Sequence, residues 1–253
     1  MSTDRLLVTL ERRVLTLTLN RPDKRNAIDS AMVEALLTQL ERADLDQDVG
    51  VVVVRGAGTD FCAGVDLAEL LASADRTPDE NARSAARLGE VFVRMRKLPK
   101  PVVALVHGRV LAGGCGLASA CDLVLAHADA QFGYPEVRRG FVPAMVMAML
   151  RRIVGEKIAF DLVTTGRLLT AAEAGAIGLV SRVLPAAEFD QQTTAIVSQL
   201  ATASASALAL IKRQLYELDG RSFEEGIQLG AAVNAAARTT PDFRKAIEDF
   251  LRK

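Results

Sequence analysis

Residues 101–122 read PVVALVHGRVLAGGCGLASACD. The first part, PVVALVHG (101–108), is a short β-branched run closed by glycine, the pattern of a strand buried on both faces. In the second part nine of the twelve residues from Leu111 to Asp122 are Gly, Ala, Ser or Cys, and Asp122 is the only charge. A run AGGCG directly after a strand predicts a glycine turn that opens a helix, whose first amides have no partner within the helix. Small side chains there serve either close helix packing or the approach of a non-protein group to the backbone.

The same unit recurs on both sides. VLTLTLN (14–20) alternates with period two, Leu15, Leu17 and Leu19 sharing a face, and leads through RPDKRN to a helix with Val33, Leu36, Leu37 and Leu40 on one stripe. GVVVVRGAG (50–58) is followed by a helix around 80–97, and DLVLAHA (122–128) repeats the buried-strand pattern. The unit returns at roughly 45–50 residues, which predicts an α/β coil of similar layers. Beyond about residue 185 the strand patterns stop. Segments 186–200, 204–218, 222–238 and 241–252 read as helices, with Pro185, Gly220 and Pro241 as punctuation. The expected organisation is an α/β core over 1–185 and a helical region over 186–253. The Ala-rich segment 222–238 suits close helix contact within the protein or with another subunit.

Composition narrows the function. The chain has 253 residues, 50% hydrophobic and 25% charged, ample for a large core. Its 31 basic and 31 acidic residues cancel, so no global field recruits nucleic acid or an anionic membrane. Aromatic residues make up 4% and Trp is absent, which argues against base-stacking platforms. The start, MSTDRLLVTLERR, lacks a signal-peptide pattern, and no apolar run reaches the ~18–20 residues of a membrane span. Three cysteines without CxxC spacing and two histidines do not suggest a disulfide frame or a metal site. The expectation is a cytoplasmic protein with no metal, nucleic-acid or membrane partner.

Three backbone features carry candidate chemistry. FCAGVD (61–66) follows the VVVVRGAG strand, with Gly64 permitting a turn few other residues allow. AGGCG (112–116) opens a helix. FGYPEVRRGFVP (132–143) places Glu136 directly after Pro135 in a rigid connection. Singly, each has an ordinary structural reading. Together, two amide donors from separate turns can converge on a developing oxyanion while a carboxylate moves a proton. Two rivals are weaker. VVVVRGAGTDF resembles the start of a dinucleotide fingerprint, but its third small position is Phe61 and no helix begins there. Cys115 stands near a helix start with His107 eight residues earlier, a candidate nucleophile without an orienting third group.

The blocks LNRPDKRNAI (19–28), FCAGVDL (61–67), KPVVALVHGRVLAGGCGLASACD (100–122), QFGYPEVRRGFVP (131–143) and TGRLLTAAEAGAIGLVSRVLP (165–185) resemble, in order, the enoyl-CoA hydratase/isomerase (crotonase) family. The resemblance implies a crotonase-like spiral of strand-strand-helix units with a C-terminal helical trimerisation region, assembled as a homotrimer or homohexamer. It implies an acyl-CoA substrate, with coenzyme A part of the substrate rather than a cofactor. The thioester oxygen would be held by the amides of Val65 and Gly113, with Glu136 as acid–base catalyst. Lys24, Arg25 and the backbone from Ala63 through Asp66 to Leu67 would lie beside the coenzyme, as would Phe250 and Lys253, in some relatives from a neighbouring subunit.

Two positions depart from the family pattern. Ala112 replaces the first of three glycines. Gly116 stands where two-carboxylate hydratases carry a Glu, and its small size is read as pocket space for a branched acyl group. The expected reaction is hydration of a 2-enoyl-CoA, branched ones included. The alternatives are Δ3,Δ2-enoyl-CoA isomerisation with Glu136 as single acid/base, and a non-catalytic acyl-CoA binding or scaffolding role. Should Glu136 not serve, Asp66 and Glu69 are the next carboxylates.

Overall fold

A computed structural model describes residues 4–252. The hairpin β1 (Leu6–Glu11) and β2 (Val14–Leu19) is followed by α1 (Ser30–Leu45), β3 (Val51–Gly56), α2 (Leu67–Ala72) and α3 (Pro78–Lys97). Next come β4 (Val102–Val106), β5 (Arg109–Leu111), α4 (Gly113–Ala120), β6 (Leu123–His127) and β7 (Gln131–Gly133). The chain continues through α5 (Ala144–Val154), α6 (Glu156–Thr165), β8 (Leu168–Thr170), α7 (Ala171–Ala176) and β9 (Arg182–Leu184). It ends in α8 (Phe189–Thr202), α9 (Ala205–Glu217), α10 (Phe223–Arg238) and α11 (Pro241–Leu251).

Two sheets result. The larger has the order β1-β2-β3-β4-β6-β9, parallel except for the first pair, and the smaller has the order β5-β7-β8. The turns that start at β4 and β6 each lay a strand in the large sheet, a short strand in the small one, and then a helix. The β3 turn reaches the small sheet only through the single bridge from Cys62 to Val110, and a second bridge, Ile28 to Val65, ties it to the β2 turn. The turns are uneven: the paired residues Val14/Val51, Val52/Val102, Val103/Leu123 and Leu125/Arg182 are 37, 50, 20 and 57 residues apart. The expected repeat of roughly 45–50 residues thus holds for one step. The β4-to-β6 step is short because α4 is a buried eight-residue helix, and the last is long because it carries α5, α6 and α7.

The apolar runs of β3, β4 and β6 are continuous because both faces of the large sheet are covered. Val52, Val54, Val102 and Ala104 face the main core under α1 and α3, whereas Val51, Val53, Val103 and Leu125 face Phe189, Val197 and Ala201 of α8. The first long helix beyond residue 185 therefore packs as part of the sheet's core. Helix α1 is capped by Asp29, which accepts from the Met32 amide at 2.9 Å, and buries Val33, Leu36, Leu37 and Leu40. Helix α3 starts at a Thr77–Glu80 capping box with Pro78 in its first turn, and buries Leu88, Val91, Phe92 and Met95. No single helix among the described residues is long and apolar enough to cross a membrane.

Candidate active site

The loops 21–28 and 61–66 are laced together. The Ala63 amide donates to Arg25 O (2.9 Å), Ile28 to Gly64 O (2.8 Å) and Asp66 to Ile28 O (2.9 Å). Asn26, fully buried at positive φ, donates to the carbonyls of Ala57 (2.8 Å) and Asp60 (2.7 Å) and accepts from the Arg21 amide (2.9 Å). The sequence reading passed over Asn26. Its position at the end of a polar turn, where Asn tolerates the left-handed region, is the signal that could have found it.

This lacing brings Lys24 and Arg25, both exposed, beside the 63–67 turn. The Asp66 carboxylate is committed elsewhere: it caps α2 through the Ala68 amide (2.9 Å) and pairs with Arg21 (2.7 Å), whose hydrogen bond chiefly lowers its pKa. Glu69 accepts from the amide and hydroxyl of Ser30 (2.9 and 3.1 Å). Neither carboxylate is a free base.

Gly64, at φ +103, carries the turn that sets Val65 beside the start of α4. A Cβ built on Gly64 would lie 3.3 Å from the Gly113 nitrogen, and one built on Gly113 would lie 3.5 Å from the Val65 nitrogen. The two amides thus flank one small space, and among the described residues neither donates a hydrogen bond. Gly113 is the first residue of α4, so the helix dipole adds positive potential there. Ala112 precedes it at φ 52, ψ −122, a region that favours glycine and that its side chain occupies under strain.

The glycines of 113–116 have different neighbours. Gly114 has no room for a side chain, because a Cβ would meet the Cys62 carbonyl oxygen at 2.3 Å. Only Gly113 faces the open space between the amides, where it lines a cavity of about 650 Å³ together with Val65, Glu136, Phe92 and Val146. Gly116 lies behind two residues of the cavity wall, Phe92 and Val146. A Cβ there would stand 2.8 Å from Val146 Cγ2 and 3.0 Å from Phe92 Cζ. The volume above Gly116 is already filled, so it accepts no acyl branch. The contact of Phe92 with a residue 24 positions away is visible only in the fold.

One consequence is testable by thermal denaturation. Gly116→Glu must displace the Phe92 ring and bury a carboxylate, so we expect destabilisation of at least the ~1–3 kcal/mol typical of overpacking. Phe92→Ala in the same chain should recover part of it. An unchanged Tm for Gly116→Glu alone would show that the wall is not packed as described.

Glu136 lies on the single-turn 3₁₀ segment Pro135–Arg139, ended by Gly140 in the left-handed region. It is only 8% exposed, and its Oε2 is buried without a hydrogen-bond partner. Burial raises its pKa, while its own backbone amide and the Arg139 charge oppose the shift. A buried, unpaired carboxyl lining the same cavity as two unpaired amides suits proton transfer next to a developing oxyanion.

The rival chemistries find no support. Cys115 is buried and donates to Val110 O (2.8 Å), and burial pushes its thiol up to about 12. His107 contacts Gly58 O (3.0 Å). After β3 the chain makes a turn and a bridge before any helix, unlike a dinucleotide site. Among the described residues no three His, Cys, Asp or Glu side chains gather to hold a metal ion. Phe250 is 75% exposed on α11 and does not line the cavity, and Lys253 lies outside the described residues.

The sequence profile of the enoyl-CoA hydratase/isomerase family matches residues 9–253. A Thermus thermophilus protein named as a candidate enoyl-CoA hydratase is 42% identical over 235 residues, covering 93% of each chain. The 2,3-dehydroadipyl-CoA hydratase of Escherichia coli is 34% identical, over 98% of this chain and 96% of its own. The crystal structure of an enoyl-CoA hydratase from Mycobacterium smegmatis superposes with a TM-score of 0.93 at 33% identity, over 98% of this chain and 96% of that one.

Proposed function

The chain belongs to the enoyl-CoA hydratase/isomerase family, and from that premise we propose that it hydrates a 2-enoyl-CoA thioester with Glu136 as its single acid–base group. The observation that carries this reading is one cavity lined by Glu136, whose buried Oε2 has no hydrogen-bond partner, and by Val65 and Gly113, whose amides donate to no other described residue. Glu136 takes a proton from water as the water oxygen bonds C3. The electron pair of the double bond moves to the thioester oxygen, held at ~3 Å by the Val65 and Gly113 amides. The same carboxyl then returns the proton at C2.

Isomerisation of a 3-enoyl-CoA is the second reading, and a specific observation favours it. The apolar packing of Phe92 and Val146 over Gly116 leaves no second acid there to orient water, whereas one carboxylate suffices to move a proton from C2 to C4. Incubation with 2-enoyl- and 3-enoyl-CoA separates the two. Hydration removes the absorbance of the conjugated thioester from the first, and isomerisation creates it from the second. No change with either substrate would leave the acyl-CoA binding role.

Lys24 and Arg25 are proposed to meet the coenzyme phosphates, and the 63–67 backbone the pantetheine. Phe250 and Lys253 would contribute from a neighbouring copy. Ile211, Leu215, Phe223 and Ile227 expose much apolar surface on α9 and α10, which supports assembly as a homotrimer or homohexamer. Sedimentation showing only monomer at micromolar concentration would count against that assembly.

A further inference from the structure

Helix α9 meets the rest of the chain at a buried charged cluster. Lys212 is 7% exposed. Its Nζ donates to the carbonyls of Met95 (2.7 Å) and Lys100 (2.9 Å) and pairs with Asp122 Oδ2 (2.7 Å). Three acceptors match the three N–H donors of an ammonium. Asp122 is equally engaged. Its Oδ1 accepts from the Tyr216 hydroxyl (2.8 Å), its Oδ2 from the Val102 amide (2.7 Å), and its own amide donates to Val102 O (2.8 Å). The Arg96 guanidinium lies 4.6 Å above the Tyr216 ring.

Buried ion pairs add little stability over apolar packing of the same shape, whereas removing one partner leaves a costly unpaired charge, so the groups this pair joins are held in one arrangement. What this one fixes is specific. Met95 is in the last turn of α3, whose earlier residues Ala85, Leu88 and Phe92 wall the cavity. Asp122 directly follows the C-cap of α4, whose first residue is Gly113. The Phe92 ring rests on Gly116, joining the two helices. One side chain on α9 therefore holds the C-terminal ends of both helices that shape the site.

We propose that Lys212 is a positioning residue for acyl-CoA binding: with Asp122 and Tyr216 it sets α3 against α4, and so couples the width of the cavity to the pose of the C-terminal helices. The inference rests on the acyl-CoA reading of the cavity, and its test has an arm that needs no substrate. Full-length Lys212→Met, Tyr216→Phe and the double variant Asp122→Asn/Lys212→Met would be compared with the unaltered protein by amide hydrogen exchange and by steady-state kinetics.

Lys212→Met is expected to speed exchange over 81–97 while strands 14–19 and 51–56 stay protected. It should raise KM on the order of tenfold, as a small misplacement far from the chemistry does, with kcat little changed. The double variant removes the orphaned charge and should recover thermal stability but not KM. If Lys212→Met does not fold, Tyr216→Phe keeps the charge pair and should shift KM in the same direction by a smaller factor. KM that recovers together with stability, or α3 exchange and KM unmoved in the folded variants, would overturn the proposal. Should the unaltered protein turn over no acyl-CoA, the substrate reading fails, and unmoved α3 exchange in Lys212→Met would still refute the clamp itself.

Discussion

Glu136→Gln is expected to lower kcat by about 10²–10⁴-fold, the usual worth of a general acid–base group, while coenzyme A binding changes little. The other carboxylates that line the cavity among the described residues are engaged: Asp29 with Arg5, Arg21 and the Met32 amide, Glu34 with Arg87, and Glu69 with Ser30, while Asp66 is held by Arg21 and the α2 cap. Burial raises the Glu136 pKa, so activity that needs its ionised form should rise with pH along an acid limb displaced above the ordinary carboxylate value. That limb should vanish in the variant.

Stability should move the other way. A carboxyl whose folded pKa is raised binds more protons folded than unfolded in the intervening pH window, so stability falls as pH rises through that window. Glu136→Gln removes this loss. The variant should therefore melt higher than the parent at neutral pH, with the gap closing as pH falls from the raised folded pKa to the ordinary carboxylate value. Near-parental kcat, or a variant less stable at neutral pH, would overturn the assignment of Glu136 as a buried, unpaired base.

The sequence exposed those parts of the fold that need only local pattern. Val51–Val54, Val102–Val106 and Leu123–His127 are strands buried on two faces, and an uninterrupted apolar run is what such strands require. The C-terminal helices were legible because their signals lie in the chain itself: Pro185 before α8, and the capping Ser204, Ser222 and Thr240 before α9, α10 and α11. The strands β5, β7 and β8 were not, since three residues carry no period and their pairing is set by neighbours far along the chain. The uneven turns were hidden for the same reason: α4 is so short that its layer occupies 20 residues between paired strands.

At the site, residue type and order pointed to the FCAGVD and AGGCG turns and to Glu136, the family resemblance singled out Val65 and Gly113 within those turns, and the fold brings all three residues to one cavity. What spacing could not reveal is which side of a glycine faces what. Gly116 looked like spare volume, yet a phenylalanine and a valine already fill it. Buried polar groups misled in the opposite sense. Asn26 and Lys212 drew no notice in the sequence, because nothing in a single chain announces that two carbonyls will gather around each of them, with a carboxylate as well at Lys212.

Gly113→Ala should separate activity from stability most cleanly. Gly113 has a helical φ at the start of α4, so alanine fits the backbone and, as the better helix former, adds up to about 1 kcal/mol rather than removing it. The new Cβ would lie 3.3 Å from Val65 Cγ2, a tight contact that a small side-chain shift relieves. It would also lie 3.5 Å from the Val65 nitrogen, in the space a thioester oxygen must enter to reach both amides. Loss of one oxyanion donor costs about 10²–10³ in rate, and blocking the approach to two should cost at least that, with Tm unchanged or raised.

Gly114→Ala makes the control. Its Cβ would strike the Cys62 carbonyl at 2.3 Å, so it should lose stability. The run of small residues at 112–116 then serves two ends at once: Gly114 and Gly116 are small because protein atoms press on them, and Gly113 is small because, on the proposed reading, the space between the two amides must stay open to the thioester oxygen. A Gly113→Ala protein with near-parental kcat/KM would refute that division and move the oxyanion site away from α4.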